Sequence, residues 1–325
     1  MNIPSYSIYL NGNISEDNLD LPPKIALNIS TINLFNPEYK HKVYFDKSIR
    51  SFIKKEFDKD VLYAYDRLIP LAYKADLARY CLLYNEGGLY VDLSIRFLRS
   101  IKSCHINGKE ILVFRDSFSH APWILSNSLI LSERRLRLFE IMIISIIENV
   151  RNGYYGYTPL CPTGPNLFGR VFAQHMDPMD FSIGEVVKIN KNKKTSSFAY
   201  LLPDGEVCSV SVKSGAGLSS LGSGHKDNYN KHYYKRNVYL SELVYNKRFG
   251  EIGGCDERIE KSANSNYDFN SEIFSTKEGF YKKKSFKTSA TIILTRLFRS
   301  DYWGAFFFIR NAIKKLARRV MAHLP

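Results

Sequence analysis

One stretch in the first third of the chain concentrates residue types that could do chemistry. Asp76 and Arg79 are three residues apart, so on a helix they share one face and can act together. The diglycine of Gly87 and Gly88 lets the chain turn sharply and brings its backbone close to whatever binds there. Asp92 follows near the end of a predicted strand, where a carboxylate is suited to holding a divalent cation against a nucleotide diphosphate.

Each of these features also has an ordinary structural explanation. Asp76 and Arg79 could form a surface ion pair, and Asp92 could simply end a strand. Their combination within the nineteen residues 76–94 favours a functional site over either explanation.

The elements that position these residues alternate between strand and helix. Apolar periodicity and turn residues predict strands at 6–10, 41–45 and 89–93, with helices at 25–35, 47–57 and 69–85 between them. Further along, the pattern predicts a strand at 110–115, a helix at 133–149 and a β-rich region at 182–212. This alternation indicates an α/β layer fold with a largely parallel sheet, in which ligands bind beyond the carboxyl ends of strands.

The stretch 74–94 resembles the DXD-containing sugar-binding region of glycosyltransferase family 32, whose signature is S-D-x-x-R-x-x-x-L-x-x-x-G-G-x-Y-x-D-x-D. Upstream, the segments 36–39 and 44–49 are similar to segments of that family. Downstream, Asn127, the Thr163-Gly164-Pro165 turn and the segment 229–239 occur in the family's order. The resemblance covers about residues 5–245.

The resemblance implies an α/β fold of the GT-A type, a Rossmann-like nucleotide-sugar-binding half followed by a variable acceptor-binding half. It also implies retaining transfer of a sugar from a nucleotide diphosphate donor to a hydroxyl group. In that interpretation Asp76 and Arg79 contact the donor sugar, and Tyr90 lies against the nucleotide. Asp92 serves the ribose and the metal, and Asn127 lines the sugar pocket. The glycines Gly87, Gly88 and Gly164 are expected to lie beside the bound nucleotide.

The sequence departs from the family pattern at Ser94, where a second metal-binding carboxylate is expected. A serine hydroxyl is a neutral and weaker ligand for Mn²⁺ or Mg²⁺. Either the cation is held by the diphosphate, Asp92 and a downstream ligand, or basic side chains replace it. His225 and Asn228 are the candidate downstream ligands, since they lie just past the glycine-rich run 215–224. That run is either a loop that closes over the diphosphate or a plain connection.

The net charge of +14 is concentrated at the end of the chain. The last 44 residues carry eleven basic residues against one acid, and a nucleic-acid enzyme would instead spread its basic groups along a groove. We expect a flexible linker at 251–289 and a basic amphipathic helix at 290–325, with Trp303, Phe306 and Phe307 near its start. This helix either lies in an anionic membrane surface or packs on the body of the protein.

The resulting hypothesis is a catalytic domain at 1–250, with a donor half at about 1–130 and an acceptor half at 131–250. No basic and apolar leader opens the chain, and its five cysteines form no CxxC pair, so we expect a cytoplasmic protein, peripheral on the inner face of the membrane. The expected acceptor is a lipid-linked glycan of a bacterial surface polymer such as O-antigen, capsule or lipooligosaccharide. The alternatives are transfer to a protein acceptor and a noncatalytic lectin-like or scaffold protein.

Overall fold

The computed structural model describes residues 3–12, 21–101, 108–117, 119, 121–189, 197–213, 217–223 and 227–250. The described residues up to Tyr245 form one compact unit. The linker predicted at 251–289 and the basic helix predicted at 290–325 lie outside the described residues. None of the helices in the described ranges is both long enough and apolar enough to span a bilayer.

Strands and helices alternate at the start of the chain, as the sequence predicts, and from residue 46 onward they come as a run of three helices followed by a run of four strands. The strands are β1 Ile3–Tyr9, β2 Tyr39–Phe45, β3 Gly88–Val91, β4 Ile95–Phe97, β5 Ile111–Asp116, β6 Leu125–Ser132, β7 Phe181–Lys188, β8 Phe198–Leu201 and β9 Val207–Ser211. The helices are α1 Pro23–Phe35, α2 Asp46–Glu56, α3 Lys59–Arg67, α4 Leu71–Glu86, α5 Arg137–Arg151, α6 Pro165–His175, α7 Tyr229–Tyr234 and α8 Glu242–Phe249. The α/β prediction is confirmed.

The described strands form one sheet in the order β2-β1-β3-β6-β5-β7-β8-β9-β4. Strands pair in parallel at β1–β2, β1–β3 and β5–β7, and antiparallel at the other five junctions. The expectation of a largely parallel sheet is therefore wrong. The sheet is mixed because short turns, such as the one between β8 and β9, reverse the chain direction. Parallel pairing instead requires a long crossover connection.

Alternation along β3 directs its side chains to the two faces of the sheet. Leu89 and Val91 pack in one apolar cluster together with Ile32 of α1. Tyr90 packs in the other cluster, which contains much of α4 and α5. Since Asp92 has the same parity as Tyr90, it is directed to the side of the sheet on which α4 lies.

Helix α4 ends at two glycines whose backbones no other residue type fits. Gly87 has φ +65°, and a Cβ atom there would lie 2.5 Å from the backbone nitrogen of Arg134. Gly88 has φ +87°, and its Cβ atom would lie 2.2 Å from the carbonyl oxygen of Pro4 on β1. The diglycine thus allows the close approach of β3 to β1 immediately after the helix.

Gly88→Ala is expected to destabilise the fold severely. The left-handed backbone costs about 1–3 kcal/mol for a residue other than glycine, and crowding against Pro4 adds about 1–3 kcal/mol. Gly205→Ala is the matched control, because Gly205 has φ +86° but open space around its Cβ position. Urea unfolding should show a clearly larger loss for Gly88→Ala, and equal losses would contradict the close packing of β3 against β1.

Candidate active site

Asp92 stands at the carboxyl end of β3, at the sheet edge where the parallel strand β1 also ends. Its backbone N–H donates to the carbonyl of Ser128 at 2.7 Å, which fixes the chain as it leaves the strand. Its carboxylate accepts a 2.8 Å hydrogen bond from the hydroxyl of Tyr90. The side chain of Asp92 is 21% exposed, whereas that of the nearby carboxylate Asp76 on α4 is 10% exposed. Of these two carboxylates, Asp92 is therefore the one that a ligand can reach.

Arg79 of α4 joins two carboxylates. Its guanidinium lies 3.0 Å from Oδ1 of Asp76, one helical turn away, and 3.5 Å from Oδ1 of Asp92. It also donates to the carbonyl oxygen of Asn127 on β6 and lies over the ring of Tyr90, 4.6 Å from its centroid. The surface ion pair considered for Asp76 and Arg79 is therefore wrong, because both residues are buried.

The Asp76 carboxylate is held on both oxygens. The Asn127 side-chain amide donates to Oδ1 at 2.9 Å and also to the hydroxyl of Tyr80 at 3.2 Å. The Thr163 hydroxyl donates to Oδ2 at 2.8 Å. Gly164, which precedes α6, lies so close that a Cβ atom there would be 3.3 Å from the same oxygen. Asp76 is thus held by Arg79 on its own helix, by Asn127 on β6 and by Thr163 in the turn before α6.

The charges of the cluster are set by burial and by one another. Burial raises the pKa of the Asp76 carboxyl, while Arg79 and the hydrogen bond from Thr163 oppose that rise. Burial acts to lower the pKa of the Arg79 guanidinium, but Tyr90, Asp92 and Asp76 outweigh it and raise that pKa above its usual range. Burial also raises the pKa of Tyr90 well above its ordinary value. Arg79 therefore stays charged and Tyr90 stays a neutral hydrogen-bond donor.

An open cleft of about 490 Å³ lies against this cluster. One part of its wall is apolar and comes from the end of β1 and the start of α4: Ile8, Leu10, Leu71, Ala72 and Ala75. The polar part near β3 consists of Arg79, Tyr90, Asp92 and Ser94. Asp76 and Asn127 are not among the residues that line the cleft, so they lie behind Arg79 and hold it in place.

The remaining wall comes from the chain after β9. It includes Lys213, Leu218 and Ser219, and then the segment Asp227–Asn230. The carboxylate of Asp227 accepts from the backbone N–H of Leu71 at 2.6 Å, which caps α4, and lies 3.4 Å from His232 Nε2. Asn228 lines the cleft and uses its side-chain oxygen to cap α7 at 3.2 Å. His225, the other predicted downstream ligand, lies outside the described residues.

The described residues do not fit a divalent cation. Mn²⁺ and Mg²⁺ prefer several oxygen ligands, carboxylates foremost. Asp92 already accepts from Tyr90 and faces Arg79, while Ser94 is 2% exposed and its hydroxyl accepts from Ser211 at 3.4 Å. Within the described ranges no three His, Cys, Asp or Glu side chains come together as a ligand group. Of the four expected metal ligands, three line the described cleft: Asp92, Ser94 and Asn228.

Two predicted site residues lie outside the cleft and the cluster, and three residues that were not predicted as site residues take part. Gly87 and Gly88 are absent from the described cleft wall and pack on neighbouring backbone. Thr163, Lys213 and Asp227 contribute to the cleft or its support. A signal for Asp227 existed, since it lies between the predicted ligands at 225 and 228. Thr163 belongs to the Thr163-Gly164-Pro165 turn that the family resemblance singled out, whereas nothing in the local sequence marks Lys213.

Comparison with known proteins places the cluster inside a recognised region. Residues 22–119 match the family model described as "Glycosyltransferase sugar-binding region containing DXD motif". A stretch of 60 residues is 37% identical to "Uncharacterized glycosyltransferase L373" of Acanthamoeba polyphaga mimivirus, covering 18% of this chain and 24% of that protein. The chain thus matches about a quarter of the length of this curated relative.

Among solved structures, the chain is similar to PaToxG glycosyltransferase, with 18% identity, a TM-score of 0.40 and coverage of 54% of this chain and 70% of that one. It is also similar to mouse xyloside xylosyltransferase 1 in its apo form, with 13% identity, a TM-score of 0.36 and coverage of 56% and 85%. Over residues 22–119, which include the whole Asp76–Arg79–Asp92 cluster, the chain is similar to the DXD-containing sugar-binding region of glycosyltransferases.

Proposed function

We propose that this chain is a glycosyltransferase of the GT-A type that moves a sugar from a nucleotide diphosphate donor to a hydroxyl of a glycan acceptor. The observation that carries the proposal is the reachable Asp92 carboxylate, held by Tyr90 and Arg79 at the edge of the cleft. It lies within the segment that is similar to a glycosyltransferase sugar-binding region.

The cleft supports this proposal by its division into an apolar and a polar wall. The apolar residues from β1 and α4 suit the faces of a nucleoside, as in most small-molecule sites. Asp92 accepts hydrogen bonds, and hydroxyl groups of a ribose or a donor sugar are the matching donors. Arg79 cannot swing freely because Asp76 and Asn127 hold it, so it presents a fixed charge.

Transfer is proposed to retain the configuration of the anomeric carbon. The bond from that carbon to the diphosphate breaks as the acceptor attacks from the same face, and the leaving phosphate takes the acceptor's proton. This route needs no protein nucleophile, and Asp76 is poorly suited to be one because both of its oxygens accept hydrogen bonds. The protein's part is then electrostatic stabilisation and the exclusion of water.

The proposed acceptor is a lipid-linked glycan of a bacterial surface polymer, reached at the cytoplasmic membrane face. The support is the sequence of the end of the chain, with its concentrated positive charge and the aromatic residues Trp303, Phe306 and Phe307. Such a segment gains about 1 kcal/mol per basic residue near an anionic surface, and this gain is screened by salt.

Deletion of residues 290–325 is expected to release the protein from anionic liposomes while leaving donor hydrolysis nearly unchanged. It should also slow transfer to a lipid-linked acceptor. Cosedimentation with liposomes at low salt measures binding, and a full-length variant with Arg310, Lys314, Lys315, Arg318 and Arg319 replaced by glutamine is the control for charge alone. Equal cosedimentation of the full-length and truncated proteins would refute the membrane part of the proposal.

A thermal-stability screen against nucleotide sugars tests the donor part of the proposal. A ligand at 100 times its dissociation constant stabilises the folded state by about 2.7 kcal/mol, so one class of donor should raise the melting temperature clearly. The matching nucleoside diphosphate should do so as well. If no nucleotide sugar shifts the melting temperature at millimolar concentration, the proposed donor site is wrong.

A further inference from the structure

We infer that Lys213 binds the diphosphate of the donor and stabilises it as the leaving group. Its ammonium group would supply the positive charge of a metal ion, which the neutral Ser94 does not help to bind. The inference rests on the proposed function and names a residue for it. It begins from the place of Lys213 in the sheet.

Lys213 lies beside Ser94 because of strand pairing. Strands β4 and β9 are antiparallel, with Ile95 opposite Ser211. Immediately beyond that pair, the backbone N–H of Val212 donates to the carbonyl of Ser94 at 2.9 Å. Lys213 is the next residue, is partly buried, and lines the cleft together with Asp92 and Ser94. The backbone thus places Lys213 in the cleft wall beside Ser94.

Lys213 is the cleft cation that remains available to a ligand. The described part of the cleft wall contains two cations, Arg79 and Lys213. Arg79 is engaged by two carboxylates and the carbonyl oxygen of Asn127. Lys213 makes no hydrogen bond or ion pair with any other described residue. An anion entering the cleft would therefore find Lys213 without first displacing a carboxylate.

The chemistry of the leaving group calls for such a cation. When the bond between the anomeric carbon and the phosphate oxygen breaks, its electron pair stays on the diphosphate, whose negative charge increases by one. The acceptor oxygen forms the new bond to the carbon, and its proton passes to the leaving phosphate. An ammonium group offers three N–H donors, and charge-assisted hydrogen bonds to phosphate are among the strong ones. Lys213 would therefore stabilise the transition state more than the bound donor.

The poor fit of the site to a divalent cation also favours a side-chain cation as the partner of the diphosphate. The hydroxyl of Ser94 is neutral, buried and hydrogen-bonded to Ser211. Among the described residues of the cluster, Asp92 has the one carboxylate that a ligand can reach. The adjacent Arg79 already neutralises part of its charge. We therefore expect binding of the diphosphate to persist when divalent cations are removed.

The test is calorimetric titration of the full-length protein with UDP, GDP and ADP in the presence of EDTA, followed by the corresponding nucleosides. Lys213→Met should weaken binding of the preferred nucleoside diphosphate by about ten- to a hundredfold. It should leave the affinity for the nucleoside unchanged, and Lys213→Arg should restore most of the affinity for the diphosphate. Lys109→Met is the matched control, because Lys109 is partly buried like Lys213, donates to the carbonyl of Met179 and does not line the described cleft.

The outcomes separate the two proposals. Diphosphate affinity that is equal in wild type and Lys213→Met, with unchanged melting temperatures, would overturn the role of Lys213 and leave the proposed function standing. Wild-type binding that disappears in EDTA and returns with Mn²⁺ would also overturn it, because a metal would then carry the charge. Failure of the wild-type protein to bind any of the nucleoside diphosphates, with or without Mn²⁺, would instead count against the donor site itself.

Discussion

Arg79→Met should lower the free energy of unfolding by about 3–5 kcal/mol, the usual cost of breaking a buried ion pair by removing one partner. The loss is large because Arg79 is buried and serves both Asp76 and Asp92. Without it, Asp76 keeps only its neutral partners, and two carboxylates face each other across the vacated space. Urea unfolding followed by circular dichroism measures the change.

Arg151→Met provides the control for losing an arginine from an ion pair. Arg151 lies 2.6 Å from Asp60, but both side chains are about half exposed. Exposed pairs contribute about 0–1 kcal/mol, so this variant should unfold nearly as the wild type does. A loss below about 1 kcal/mol in Arg79→Met would show that the cluster does not depend on Arg79 for its structure.

Asp92→Asn should reduce kcat/KM by about a hundredfold or more while leaving the fold intact. Asparagine keeps the size of the side chain and an oxygen that can accept from Tyr90, so the 2.8 Å hydrogen bond has a substitute. What is lost is the negative charge that a ligand can reach from the cleft.

Asp204→Asn is the control for a change of carboxylate to amide. Asp204 caps the exposed turn between β8 and β9 by accepting from Glu206 N–H at 3.0 Å. Its replacement should change neither transfer nor melting temperature appreciably. Near-normal turnover by Asp92→Asn, with the same melting temperature as the wild type, would remove Asp92 from the active site.

Local sequence patterns account for many of the elements and for the centre of the site, although they do not predict α3 or β6. The spacing of Asp76 and Arg79 placed both on one helical face, and the structure joins them at 3.0 Å. The position of Asp92 after a strand also agrees with the structure, since β3 ends at Val91. These features depend on the periodicity of one helix and one strand, which neighbouring residues along the chain determine.

Other parts of the site depend on contacts that no local pattern encodes. Thr163 is 87 residues from Asp76, and Asp227 is 156 residues from Leu71. Lys213 reaches the cleft through the antiparallel pairing of β9 with β4, and the sequence predicted a largely parallel sheet instead. The conformational freedom of Gly88 predicts a close approach of its backbone to a ligand. In the structure, the neighbour that requires a glycine there is the backbone of Pro4.

Release of a nucleoside diphosphate from nucleotide sugars tests the proposed glycosyltransferase activity most directly. The full-length protein and Asp92→Asn are incubated with a panel of UDP-, GDP-, ADP- and CDP-linked sugars, with EDTA and with Mn²⁺, and the released nucleotide is quantified. We predict that the wild type hydrolyses donors of one nucleotide class and that Asp92→Asn does so about a hundredfold more slowly. Release from no donor under either condition, or equal release by both proteins, would contradict a donor site built on Asp92.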